Sequence, residues 1–127
     1  MFSFEPTPYW HHYAGADTPD EHNILFHFIC HGGILIDEYN WTEDIAETEH
    51  LEFSKKIFKA TDSITEELLG YVVRGHVYHN SLTDIVSIPI QRVFKDKEEA
   101  TKFYSDLNND WMRTELEIQK EKQRDDL

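Results

Sequence analysis

Residues 68–94 read LLGYVVRGHVYHNSLTDIVSIPIQRVF. Two runs rich in Val, Ile, Tyr and Phe, 68–80 and 85–94, flank the four residues Ser81 to Asp84, which is the composition of two strands and a turn. With a short turn at 81–84, Tyr71, Val73 and Val77 share a face with Val86, Ile88, Ile90 and Phe94. The opposite face carries Arg74, His76 and Tyr78 beside Ser87 and Gln91, because successive side chains alternate across a strand. One apolar and one polar face is the pattern of an antiparallel sheet packed on one side. Pro89 puts the second run at a sheet edge or a bulge. The first run would instead be a helix if it began at Ser63, with Glu66 in capping-box position.

Downstream the hydrophobic period changes. Asp96 can cap a helix with Glu99 three residues on, and Ala100, Phe103, Tyr104, Leu107, Trp111 and Ile118 recur at spacings of three, four or seven. An amphipathic helix over 97–122 follows, able to cover the apolar sheet face, and Asn108-Asn109-Asp110 is where it would be interrupted. The closing residues EKQRDDL are a mixed-charge tail.

Upstream, LEFSKKIFKA at 51–60 reads as a further strand, and TEDIAETEH at 42–50 as an acidic helical turn or loop. Thr18-Pro19-Asp20-Glu21 has the chemistry of a helix start, with Thr18 as cap, Pro19 in the first turn and Glu21 in box position. Gly32 and Gly33 supply a stop. The intervening NILFHFICH is β-prone enough for a hairpin turning at the glycines, but start and stop chemistry together favour a helix over 19–31 and a strand over 34–40. Residues 1–16 hold Pro6, Pro8 and five aromatics, an arm expected to close over the core. The fold expected is α+β: a small antiparallel sheet packed against a long C-terminal helix in a single two-layer domain over 1–127. Its parts are an aromatic arm (1–16), an acidic segment (17–50), strands (51–94) and the helix (97–122).

Length and composition fit one core: 127 residues, 39% hydrophobic and 13% aromatic. The formal charge of −13 argues against direct binding to nucleic acid or anionic membrane. A single cysteine, Cys30, excludes an intramolecular disulfide scaffold, and its apolar setting suggests a buried core position. With no leader-like N-terminus and no long apolar run, a cytoplasmic protein is expected.

The charge is concentrated. Residues 1–50 contain ten acids and neither Lys nor Arg, together with six of the eight histidines, the only side chains expected to offset that charge internally, by protonating on acidification. Asp37, Glu38, Glu43, Asp44, Glu47 and Glu49 lie beside Tyr39 and Trp41, a combination of charges and aromatic anchors suited to a basic surface on a protein partner. Small acidic inhibitors of nucleases, polymerases and host-defence complexes, from viruses or mobile elements, work this way, as do toxin-neutralising immunity proteins. The function expected is therefore a non-enzymatic protein, an inhibitor, nucleic-acid mimic or immunity-type protein, that occludes a basic site on a nucleic-acid-handling partner. No cofactor is implied.

The alternative is a small metal- or histidine-dependent enzyme. His27 and His31, four residues apart, share a face and could bind a metal with Asp20 or His22, although no HExxH or CxxC accompanies them. Arg74, His76 and Tyr78 would supply an anion clamp, a proton carrier and a hydroxyl from one strand face, without an identifiable nucleophile or second acid.

Overall fold

The computed structural model describes residues 16–83 and 85–125, with side chains to Lys122. The elements are α1 (Pro19–His31), β1 (Ile34–Ala46), β2 (Glu49–Thr61), β3 (Leu68–Asn80), β4 (Ile85–Phe94), α2 (Lys97–Asp106) and α3 (Asn109–Asp125). The four strands form one antiparallel sheet in the order β1-β2-β3-β4. The architecture is α+β, with the antiparallel sheet packed against the C-terminal helices.

The β3–β4 register is the one the alternation implies: Val73 pairs with Arg92, Gly75 with Ile90, Val77 with Ile88, and Arg74 with Gln91. Tyr71, Val73, Val77, Ile88 and Ile90 therefore face one side with Phe53 and Ile57 of β2, where Ala100, Tyr104, Leu107, Met112 and Leu116 cover them. Pro89 sits on an edge strand, where a missing N–H is tolerated.

The helical stretch after Asp96 is two helices. Asp96 accepts the Glu99 N–H at 3.2 Å, and the Leu107 N–H closes α2 on the Phe103 carbonyl. Asn108 then accepts the Trp111 N–H at 2.9 Å and starts α3. Leu107 stays in the apolar stripe and is 1% exposed, so the break anchors the junction instead of loosening it. Lys55 reaches up from β2 and donates to the Tyr104 carbonyl at 2.6 Å, placing a cation at the negative end of α2.

At the other end of the chain, Thr18 and Glu21 form the anticipated capping box: the Glu21 N–H donates to Thr18 Oγ1 at 3.2 Å and the Thr18 N–H to Glu21 Oε2 at 2.9 Å. Gly32 ends α1 with φ of 79°, a backbone conformation glycine takes without strain. α1 adds a layer that a two-layer scheme lacks. Ile24 and Phe28 pack with Ala60, Val72 and Val93, a second, smaller core at one end of the opposite sheet face.

Gly70 is the closest contact in that core. A Cβ there would stand 2.4 Å from the Phe94 carbonyl and 2.7 Å from Ile24 Cδ1. Gly70→Ala is expected to cost about 1–3 kcal/mol by pressing on the Phe94 carbonyl of β4 and on Ile24 of α1, read as a lower urea midpoint. An unchanged midpoint would mean that the helix seat yields freely.

Three expectations need correction. Residues 42–50 are not a helical turn or loop: β1 runs on to Ala46, a turn occupies Glu47-Thr48, and β2 begins at Glu49. Pairing of Trp41 with Phe53 and of Glu43 with Leu51 carries the acidic stretch into the sheet despite its weak β-propensity. Cys30 is exposed on the outward side of α1, because the helix turns Ile24 and Phe28, not Cys30, to the sheet. The histidines are not the acidic segment's only offset, since Lys95 pairs with Asp20, Lys56 with Glu38 and Arg113 with Glu43. The aromatic arm's placement lies outside the described residues apart from Ala16, which is buried.

Candidate functional site

β1 is an edge strand in which none of the 13 residues is buried. Strand alternation divides its acids between the two sides of the sheet. Asp37, Tyr39, Trp41 and Glu43 share the face of Ile57, Lys55, Phe53 and Leu51, their register partners, whereas Glu38 and Asp44 lie on the opposite face beside Lys56 and His50. The acidic residues thus make a rim with two sides.

Each part of that rim has a local structural role as well. Trp41 stacks on Phe53 with centroids 5.0 Å apart, and the Arg113 guanidinium lies 5.1 Å above it. It is more a lid on the main core than a free anchor. Arg113 also donates to Glu43 Oε2 at 2.9 Å, tying α3 to β1. Tyr39 is the more exposed aromatic, and it lines an open cleft of about 390 Å³ with Lys55, Leu107 and Asn108 to Asp110. Burial pushes the Lys55 ammonium below its ordinary pKa, partly offset by Asp37. Burial, and then the neighbouring Asp37 carboxylate, push the Tyr104 hydroxyl up to about 12. Glu47 projects from the exposed hairpin turn. Glu49 points back instead: its Oε1 is 2.7 Å from Nε2 of His79, a histidine only 3% exposed.

Asp44 and His50 face each other at the hairpin tip, 2.7 Å apart, with Glu52 3.5 Å from the other ring nitrogen. The Asp44 hydrogen bond is the largest influence, and it raises the His50 pKa above the ordinary 6.5. A histidine raised in the folded state stabilises the fold fully below its unfolded pKa, and that contribution is lost as pH rises through the folded value. Asp44→Asn is expected to lower the His50 titration midpoint in an NMR pH series. A midpoint that does not move would mean that the pair is not formed in solution.

His27 and His31 are on one helix but do not converge on a common centre. His27 Nδ1 accepts the Ser63 N–H at 3.2 Å and is 3.0 Å from Ser63 Oγ, while Nε2 lies 3.7 Å from Asp62 Oδ2. It fastens α1 to the β2–β3 loop. His31 is exposed at the helix end. Asp20 pairs with Lys95, and His22 is exposed. Among the described residues no three His, Cys, Asp or Glu groups are arranged to hold a metal ion.

Arg74, His76 and Tyr78 do come together. They lie on the sheet face that α1 covers at one end only, flanked by Lys56, Ser54 and Glu52 of β2 and by Gln91, Pro89 and Ser87 of β4. His76 Nε2 is 2.6 Å from Ser87 Oγ, and its ring stacks on Tyr78 at 6.3 Å. Burial lowers the His76 pKa, opposed by Glu52, so the imidazole stays neutral at neutral pH. A neutral imidazole on a serine hydroxyl has the composition of a nucleophile–base pair, but no carboxylate among the described residues holds the Nδ1 to orient the base.

Arg74 is held on two sides. Its Nε donates to Gln91 Oε1 at 2.8 Å, and its guanidinium lies 4.7 Å from the Phe28 ring centre. The cross-strand neighbours Ser54 and Lys56 were missed by the sequence reading. They become visible only once the β2–β3 register places Lys56 opposite Arg74. Among the described residues no helix is long and apolar enough to cross a membrane. No known protein family, curated protein or solved structure matches the chain.

Proposed function

We propose that the protein is a non-enzymatic acidic binding protein whose β1 rim occludes a basic site on a protein partner, a nucleic-acid-handling protein in the case the charge favours. The observation that carries this is the position of β1 at the sheet edge: four carboxylates, Asp37, Glu38, Glu43 and Asp44, on a strand with no buried residue. Same-side acids are six residues apart, roughly 20 Å along a strand, a spacing that suits separated contacts along a groove. The Lys56–Glu38 and Arg113–Glu43 pairs are exposed on both members, so a partner's cations can replace them at little cost. Tyr39 offers an aromatic contact beside them.

The test is competition. Protein captured from lysate on the immobilised chain at low salt should elute with salt and with added duplex DNA, because both address the same basic groove. Capture indifferent to both removes the proposal.

A small histidine-dependent enzyme is the second reading, favoured by the His76–Ser87 contact. An activated serine should label with a fluorophosphonate probe and lose the label in Ser87→Ala. Absence of labelling removes it.

A further inference from the structure

His50 stands at the start of β2 with a carboxylate at each ring nitrogen. Nδ1 is 2.7 Å from Oδ1 of Asp44, its register partner on β1, and Nε2 is 3.5 Å from Oε1 of Glu52, the next residue of β2 on the same side of the sheet. A carboxylate only accepts, and a neutral imidazole has one N–H to give, so only the imidazolium satisfies both contacts. A neutral ring leaves a nitrogen lone pair facing a carboxylate oxygen. The geometry therefore calls for the charged form, in agreement with the upward shift that the Asp44 hydrogen bond gives this histidine. Half or more of the rings are charged at pH 6.5, and the charge is lost as pH rises through the raised value.

Few other groups face this ring among the described residues. β1 supplies Asp44 and β2 supplies Glu52, while the β3 register partner of His50 is the uncharged Asn80. Tyr78 lies opposite Glu52, and the Glu52 charge also reaches His76, the next residue of β3 along that face. Glu52 itself lies opposite Thr42, so it puts a third acid on the side of the rim that carries Glu38 and Asp44. The local partners of the rim acids differ in kind. Glu38 has Lys56 and Glu43 has Arg113, cations throughout the neutral range, whereas Asp44 has His50, whose charge a proton decides.

We propose that His50 gates this side of the rim: as imidazolium it binds Asp44 and Glu52 and withholds them from a basic partner, and on losing its proton it releases both to the partner's lysine or arginine side chains. The gate rests on the reading of β1 as the surface for such a partner. A proton on His50 and a partner's cation compete for the same two carboxylates, so each weakens the binding of the other by the same factor. The gate opens as pH rises above 6.5, because the ring is still largely charged there.

The test uses the full chain and an oligolysine peptide, whose charge is constant between pH 6 and 8, at constant low ionic strength. Affinity should rise about ten-fold over that interval, an ordinary size for coupling between two sites. His50→Gln should bind the peptide more tightly than the wild type at pH 6 and show a much flatter profile, and His50→Lys, charged throughout, should bind weakly at both ends. Saturating peptide should lower the His50 titration midpoint, read from its ring shifts by NMR, by the same coupling factor. The side chain of His50 is partly exposed, so both variants should keep the wild-type urea midpoint closely enough to be compared. Binding that does not change with pH, or changes equally in wild type and His50→Gln, or leaves the His50 midpoint unmoved overturns the gate and keeps the rim as the binding surface. Absence of binding at either pH overturns the rim reading and the gate with it.

Discussion

Reversing Asp37, Glu38, Glu43 and Asp44 to lysine should slow association with a basic partner by about ten- to a thousand-fold at low salt, the range over which charge steers encounter. The four changes invert the charge on both sides of the β1 rim while leaving every buried position untouched. Exposed ion pairs contribute little to stability, so the fold should survive despite losing the Glu38–Lys56 and Glu43–Arg113 contacts. Stopped-flow or surface-based kinetics against the captured partner measures the effect. Most of the loss should fall on the association rate, and raising salt should bring wild type and variant together. Acidification from pH 7.5 to 5.5 acts in the same direction, because protonating histidines adds positive charge while the carboxylates remain ionised. Equal association rates for wild type and variant would reduce the acidic rim to a solubilising surface.

Phe53→Ala should have the largest effect on stability, a loss of about 3–5 kcal/mol in urea unfolding. Phe53 is 1% exposed, faces the C-terminal helices, and carries the stacked Trp41 ring on its outer side. Truncation opens a cavity in the main core and also removes the platform that holds β1 to the sheet. Trp41→Ala alone should cost less, since Trp41 is only partly buried, and the double variant should cost less than the sum because the rings act as a pair. Hydrogen exchange along β1 should accelerate in both single variants. A Phe53→Ala protein of wild-type stability would mean that the core collapses around the lost ring.

Much of the architecture was legible in local chemistry. The β3–β4 pair could be read because its alternation is regular and its connection short, so face and register follow from each other. The α1 boundaries could be read because Thr18, Glu21 and Gly32 act through hydrogen bonds and backbone angles within a few residues. The extension of β1 to Ala46 could not, because TEDIAETEH lacks the composition of a strand and is held as one by β2 and by the Trp41–Phe53 stack. Cys30 was misplaced for a related reason: an apolar run does not say which side of a short helix meets a sheet.

The candidate sites divide in the same way. That Arg74, His76 and Tyr78 project together was fixed by strand alternation, a property of consecutive residues. Their neighbours Ser54, Lys56 and Ser87, the Gln91 and Phe28 supports of Arg74, and the pairing of distant Lys56 and Arg113 with the acids of β1 depend on which strands and helices adjoin. The linear chain thus set net charge, the type of every element except the far end of β1, and the two-faced alternation, because these arise from residue chemistry and short-range geometry. Packing set which side each acid occupies and which charges are offset, because these depend on contacts between residues far apart along the chain, whose alignment no local signal encodes.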